Sequence, residues 1–258
     1  MGTFLFHASG LSSSEFLALS VIILIASVIR GYAGFGFSAI VVASSSLFLP
    51  THEVVPMVLL LEVAASLQMA KQVWRDVNWK MVVSILAGSF LFIPLGQYLL
   101  IWVPVEPMRA LAAVLLLAAV LFAAAGRPFR IGNHRGAWFL IGTVSGFMNG
   151  LLAMGGMWAI IFLLGSGIRV ATIRASLVAL FFSTDSYAVL TGAVHGLINR
   201  DILIRFIWAL PALIAGVWAG SRSFKTGKPE LYRKVVLALL GTLALLLLLR
   251  ALIGLLWT

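Results

Sequence analysis

Eight long apolar runs separated by short polar loops constrain this chain more than any other feature. They fall at about residues 15–49, 54–74, 80–102, 107–125, 136–165, 171–194, 201–221 and 231–256. An α-helix needs about 20 mostly apolar residues to cross the hydrocarbon core of a bilayer. The other structure that spans a membrane is a closed β-barrel, whose strands require strict in–out alternation, and these runs lack it. The inventory agrees. Hydrophobic residues make up 62% of the 258-residue chain and charged residues 10%, against about a quarter charged in a soluble domain. Mean hydropathy is +1.11. The expected fold class is all-α: a polytopic, multi-pass membrane protein with no soluble domain.

Several function classes fall away on the same inventory. There is no cysteine, which removes disulfides, iron–sulfur clusters and thiolate chemistry. His7, His52, His134 and His195 lie far apart near segment ends, so metal or haem ligation is not expected, and no cofactor is called for. The formal charge of +10 sits in short loops, where Lys and Arg orient a membrane chain and meet anionic lipid heads. Nucleic acid is therefore not an expected partner. No phosphate-binding GxxxxGK[ST] run is present, which argues against a pump driven by this chain alone. No cluster of His, Asp, Glu or Ser gathers at one membrane face, so an enzyme is not expected. The first ten residues carry no Lys or Arg, which makes the first apolar run an expected structural segment rather than a cleaved leader.

Two of the eight runs are abnormal. Residues 15–49 are too long for one crossing and are interrupted by Arg30-Gly31-Tyr32-Ala33-Gly34-Phe35-Gly36. Residues 136–165 are interrupted by Asn149-Gly150-Leu151-Leu152-Ala153-Met154-Gly155-Gly156. Aligning Gly31 with Gly150 also aligns Gly36 with Gly155. Further along, Val77-Asn78-Trp79 falls against Ile198-Asn199-Arg200, and Gly96 against Gly216, with gaps of one or two residues. The chain reads as one transporter-like unit of two homologous halves, 1–125 and 136–258, joined by a short basic connector at 126–135.

Loop charges discriminate between two topologies. With Arg30 and Arg250 set aside as lying inside apolar runs, sixteen Lys and Arg remain. If each broken run crosses the membrane once, they divide eight against eight. If each turns back as a re-entrant hairpin, they divide thirteen against three, with only Arg109, Arg200 and Arg205 on the sparse face and Arg174 among the thirteen. Short loops follow a positive-inside bias, so hairpins are favoured. Each half then crosses three times net, the halves are inverted relative to each other, and both termini face outward. Inverted repeats with discontinuous helices place a substrate site near the midplane between the repeats.

The breaks themselves carry the first candidate chemistry. A helix that stops inside a membrane leaves N–H or C=O groups that lipid cannot satisfy, and a free helix N-terminus attracts anions. Expected substrate-binding residues are Arg30, Gly34, Phe35, Gly36, Phe37, Ser38, Asn149, Met154, Gly155 and Gly156. The competing reading of such glycines is close helix packing, which is accepted for the ladders Gly142/Gly146/Gly150, Gly192/Gly196 and Gly216/Gly220. Arg30 is the sharpest residue, because a charge at that depth marks a pathway or a partner. Its guanidinium suits a carboxylate, sulfonate or sulfite in bidentate fashion. The alternative is a simple span with Arg30 snorkelling at its end. Asn149 stands at the matching position, so an arginine clamp would be asymmetric.

Glu62 and Asp185 are the other ionisable residues well inside spans. A carboxylate there either carries a proton through a transport cycle or neutralises Arg30 or another basic residue. Ser66, Gln68, Ser183, Thr184 and Tyr187 on the same spans are candidate pocket polar groups, although Ser and Thr often bond back to their own helix. Arg250 is read as snorkelling. Trp74, Trp79, Trp102, Trp138 and Trp257 sit near span ends, as an interfacial belt would. Pro94 and Pro211 fall inside comparable spans of the two halves.

With these motifs in hand, the chain resembles the sulfite exporter TauE/SafE family, also called the four-toluene-sulfonate uptake permeases. The resemblance covers essentially the whole chain and rests on its length, its duplicated halves and a Gly-rich motif in each. That motif stands here as Gly34-Phe35-Gly36-Phe37-Ser38 and Ala153-Met154-Gly155-Gly156-Met157. The family pattern has three adjacent glycines in each copy; Phe37 and Ser38 replace two in the first, and Ala153 opens the second. The resemblance implies a secondary transporter of sulfite, sulfoacetate or another organosulfonate in a bacterial inner membrane. Expected partners are a small anionic substrate, membrane lipids and a coupling ion such as H+, with a homodimer left open. The alternative function is a membrane-embedded subunit or lipid-handling protein without transport activity of its own.

Overall fold

The computed structural model describes residues 11–124, 135–164, 168–224 and 245. The described residues form helices and connecting turns, with no strand among them. In chain order the α-helices are α1 Ser13–Ala33, α2 Phe37–Ser45, α3 Thr51–Val73, α4 Trp79–Trp102, α5 Val105–Ala124, α6 Arg135–Leu152, α7 Gly155–Leu164, α8 Val170–Val194 and α9 Arg200–Phe224, with a 3-10 turn at Trp74–Asp76. Among the described residues each ordinary apolar run became one helix, while the two abnormal runs each divided, into α1 with α2 and α6 with α7. The run expected at 231–256, apart from Leu245, lies outside the described residues. So do nearly all of the basic connector and Arg127, Arg130, Lys225, Lys228, Arg233, Lys234, Arg250 and Trp257. Taken with their flanking turns, α1, α3, α4, α8 and α9 are long and apolar enough to cross a membrane.

Local sequence explains where these helices begin and stop. A capping box starts α1: Ser12 Oγ accepts from the Glu15 N–H at 3.3 Å, and Glu15 Oε2 accepts from the Ser12 N–H at 2.9 Å, so two orphan donors are satisfied. Its far end is Gly34, in the left-handed region at φ 81°, whose N–H donates to Arg30 O at 2.7 Å. Gly36, at φ 92°, then opens α2 without a side-chain cap. At the corresponding position of the second break Ala153 takes φ 56°, a conformation that costs an L-residue with a Cβ roughly 1–2 kcal/mol. Asn78 Oδ1 caps α4 by accepting from the Met81 N–H at 3.3 Å. Pro94 and Pro211 lie inside α4 and α9, which both continue past them.

Small residues set the closest helix pairs. A Cβ on Gly142, Gly146 or Gly150 of α6 would strike the backbone of Ile85, Ser89 or Ile93 of α4, and one on Gly88 or Gly96 would strike α6 in return. Residue numbers rise together along both helices, so α4 and α6 run parallel. In the same manner Gly216 and Gly220 of α9 press on Leu24, Ser27 and Val28 of α1, while Gly31 presses on Val217 and Ser221. Both ladders are packing ladders, as small-xxx-small faces generally are. The Gly192/Gly196 pair is not one, contrary to the sequence reading. Gly196 lies past the end of α8 at φ 72° with nothing within 4 Å of an added Cβ. There it closes the helix: Gly196 N–H donates to Ala193 O at 3.1 Å and Leu197 N–H to Gly192 O at 2.8 Å.

At the centre α3 packs on α8, with Met57, Leu61, Ala65 and Met69 meeting Val178 and Ala188 in one buried cluster. Two glutamines tie the flanking helices to this pair. Gln68 Nε2 donates to Ile214 O of α9 at 3.0 Å. Gln97 Nε2 of α4 donates to Ala188 O of α8 at 2.6 Å, and Thr191 Oγ1 donates to Gln97 Oε1 at 2.8 Å. Apolar side chains such as Leu17, Val21, Leu91, Leu95, Ile207 and Ile214 point outward, the surface a bilayer solvates. Trp74, Trp79 and Trp102 are exposed at helix ends, as a belt requires, but Trp138 is buried against Ile85 and Ile141 and does not belong to it.

Candidate functional site

The periodicity of α1 dictates where its one mid-run charge points. Ile23, Ala26, Ser27 and Arg30 fall at i, i+3, i+4 and i+7 and are all buried, so Arg30 faces inward with the core stripe. It is 0% exposed, which replaces the snorkelling alternative by a fully internal guanidinium. Such a group persists only with partners on every side. Glu62 and Ser66 supply two of them, one turn apart on the facing side of α3. Arg30 Nε lies 2.8 Å from Glu62 Oε2, and Nη2 donates to Ser66 Oγ at 2.8 Å. Nη1 donates to the carbonyl of Gly34 at the end of its own helix. Beneath this fork lies the ring of Phe181, with the guanidinium carbon 4.5 Å from its centroid, a cation–π contact.

The same carboxylate meets the second helix of the break. Because α2 starts at Gly36 without a side-chain cap, its first-turn N–H groups seek an acceptor. The Ser38 N–H donates to Glu62 Oε1 at 3.3 Å, and the Ser38 side chain also acts on that carboxylate. One carboxylate thus sits between a buried guanidinium and an open helix N-terminus. Glu62 thus neutralises Arg30, one of the two roles that the sequence left open for it.

The second break is built differently. Asn149, near the end of α6, donates through Nδ2 to Asp185 Oδ1 at 2.7 Å. Asp185 is 1% exposed, lies within electrostatic range of Glu62 and Arg30, and its Oδ2 has no hydrogen-bond partner among the described residues. Thr184 Oγ1 reaches Asp185 Oδ1 only at 3.5 Å and donates to Leu180 O at 3.0 Å. Ser145 Oγ donates to Gly155 O at 2.8 Å, which folds the start of α7 against α6. A Cβ on Gly156 would enter the ring of Phe181. Phe181 therefore touches both breaks, Gly156 on one edge and Arg30 on its face.

Of the residues singled out by sequence, the structure brings Arg30, Gly34, Ser38, Glu62 and Ser66 together at the first break, with Gly36 opening α2 beside them. Asn149, Gly155, Gly156 and Asp185 gather at the second. Phe37 and Met154 are buried in the core, and Phe35 is half-buried against it. Three polar candidates stand apart. Gln68 is engaged by α9, Ser183 bonds back to Ala179 O at 3.0 Å, and the Tyr187 ring lies 4.7 Å from that of Phe90.

Two residues were missed. Arg174, counted among loop charges, is 7% exposed in the second turn of α8, and its Nη2 donates to Gly31 O at 2.7 Å. Ser221 Oγ donates to the same carbonyl at 3.3 Å. A cation at a helix C-terminus satisfies orphan carbonyls and complements the dipole. Arg174 lies three residues inside the apolar run at 171–194, so span phase offered a signal. Phe181 offered none, being one apolar residue among many. Among the described residues no group of His, Asp and Glu is arranged to hold a metal ion.

Membrane-length helices, with two apolar runs interrupted beside buried charges, define a polytopic membrane protein. Residues 19–247, most of the chain, match the family described as Sulfite exporter TauE/SafE, and the chain belongs to that family of membrane transporters. No curated protein and no solved structure matches the chain.

Proposed function

We propose that this protein is a secondary transporter of a small anion, with sulfite, sulfoacetate or another organosulfonate as its substrate class, working by alternating access in a bacterial inner membrane. The observation that carries this reading is the Glu62 carboxylate held between Arg30 and the N-terminus of α2. A site that binds one buried carboxylate has the charge and the donors for a small external anion. Family membership supports the sulfur oxyanion class. Glu62 and Asp185 are the groups available to carry a coupled proton.

Helix directions support the inverted arrangement of the halves. Arg205, near the start of α9, bonds Glu53, near the start of α3, at 2.6 Å. Phe16, near the start of α1, packs its ring 6.5 Å from that of Trp208. The starts of α1, α3 and α9 thus lie together. At the opposite end Asn78 N–H donates to Ser176 Oγ at 3.0 Å, joining the starts of α4 and α8, and Lys80 and Arg135 flank one groove where α4 and α6 begin. The first half begins at one face and the second at the other, and α2 and α7 lead back toward the face at which their hairpins began.

A thermal-shift panel of sulfite, sulfoacetate, taurine, thiosulfate and simple carboxylates on purified protein tests the substrate class. Stabilisation by sulfur oxyanions above carboxylates is the expected result. No stabilisation by any anion, in wild type and in Glu62→Gln alike, overturns the reading.

A further inference from the structure

We propose that Glu62 is a tethered competitor of the transported anion, so that an anion enters the Arg30 site only as Glu62 takes up a proton and withdraws. The inference rests on the anion-transport reading above and assigns its site a regulation.

The geometry leaves little alternative to displacement. Arg30 has its Nε on Glu62, its Nη2 on Ser66 and its Nη1 on Gly34 O, and Phe181 closes the face of the guanidinium. The α2 N-terminus is committed to the same carboxylate. Arg30 and Glu62 are 0% and 3% exposed, so water does not reach the pair. A bound anion needs the Nε edge of Arg30 and the Ser38 N–H, both of which Glu62 holds. Two anions cannot share one buried cation without leaving a net charge in low dielectric. Once displaced, Glu62 would be a buried carboxylate without a countercharge, a state that neutralises by binding a proton.

The exchange balances: an ion pair Arg30(+)·Glu62(−), one external anion and one proton become Arg30(+)·anion(−) and protonated Glu62. Charge at the site is conserved, and the proton comes from water on the side from which the anion enters. Protonated Glu62 keeps an O–H donor and can still accept from the Ser38 hydroxyl.

The surroundings of Glu62 leave it as the group linked to binding. On α2 there is no ionisable side chain. From α1 the neighbour is Arg30. From α8, Asp185 lies within electrostatic range, but its hydrogen bond goes to neutral Asn149 and it holds no part of Arg30. Arg174 of α8 is committed to Gly31 O. On α9, Arg205 engages Glu53 at the other end of α3. Glu106 and Arg109 sit in the first turns of α5, and α6 contributes Asn149 at this depth.

The test is calorimetric titration of purified protein with methanesulfonate and with toluenesulfonate, monoanions that stay fully ionised from pH 5.5 to 8, in buffers of different ionisation enthalpy. The expected result for wild type is uptake of about one proton per anion bound near pH 7.5, with Kd weakening about tenfold per pH unit at the alkaline end. In Glu62→Gln the uptake vanishes, Kd becomes independent of pH, and binding at pH 8 is tighter than in wild type. Wild-type binding without proton uptake overturns the proposal and leaves the anion-transport reading standing. Loss of uptake in Asp185→Asn but not in Glu62→Gln also overturns it, moving the linked proton to Asp185. Absence of binding in both wild type and Glu62→Gln at every pH overturns the transport reading and this proposal with it. Should Glu62→Gln fail to fold, the proton count in wild type and its persistence in Asp185→Asn decide together.

Discussion

Gly34 and Ala153 hold the same left-handed backbone at equivalent ends of α1 and α6, with φ of 81° and 56°. One residue is suited to that conformation and the other is not. The two breaks are therefore alike in shape and unlike in strain. Ala153→Gly is expected to raise the melting temperature, recovering about 1 kcal/mol. Gly34→Ala is expected to cost more than Ala153→Gly gains, because its Cβ would also lie 2.7 Å from Arg174 Cγ. Thermal unfolding of the two variants in one detergent checks both signs.

Phe181 couples the breaks through Gly156. Adding a Cβ there pushes on the ring that lies beneath Arg30, an overpacking expected to destabilise by about 1–3 kcal/mol. Gly156→Ala should lower both the melting temperature and anion binding, and Phe181→Leu in the same chain should restore part of each. Strict additivity of the two substitutions would show that they do not act on one another.

Arg174 ends α1 from a neighbouring helix. Arg174→Ala leaves Gly31 O with the longer Ser221 contact and is expected to cost about 1–3 kcal/mol. Hydrogen exchange should rise first at the amides of the last turn of α1 and at Gly34. Unaltered exchange there would mean that the guanidinium does not secure the break.

The hairpin reading has a direct labelling test, helped by the absence of native cysteine. Single cysteines at Ser14 and His52, both exposed at helix starts, should react with an impermeant maleimide from the same side. Cysteines at Lys71, Arg75 and Arg222 should react from the other. Ser14 and His52 labelling from opposite sides would make the first broken segment a crossing.

Most of the fold was legible because hydropathy is a one-dimensional signal and a membrane helix is a one-dimensional object. The runs at 54–74, 80–102 and 171–194 became α3, α4 and α8 with ends shifted by three residues or fewer. The breaks were legible because glycine at close spacing inside an apolar run has few other uses. Partner choice was less legible. Arg30 was open as a partner to Glu62 and Asp185 alike; packing of α1 on α3 gives it to Glu62, while Asp185 goes to Asn149. Trp138 and Gly196 were misread because proximity to a span end gives depth but neither helical phase nor termination. Arg174 was misread for the reverse reason, a charge near a loop that turns inward on the next turn.

The central claim is that the Arg30 site carries the transported anion. Flux of labelled sulfoacetate into proteoliposomes, normalised to folded protein, tests it in wild type, Arg30→Ala and Arg30→Lys. The expected result is measurable wild-type flux that falls at least about tenfold in Arg30→Ala, the loss of one charge-assisted contact or more, with Arg30→Lys between them because a single ammonium cannot reproduce the fork. Wild-type flux retained by folded Arg30→Ala would contradict it.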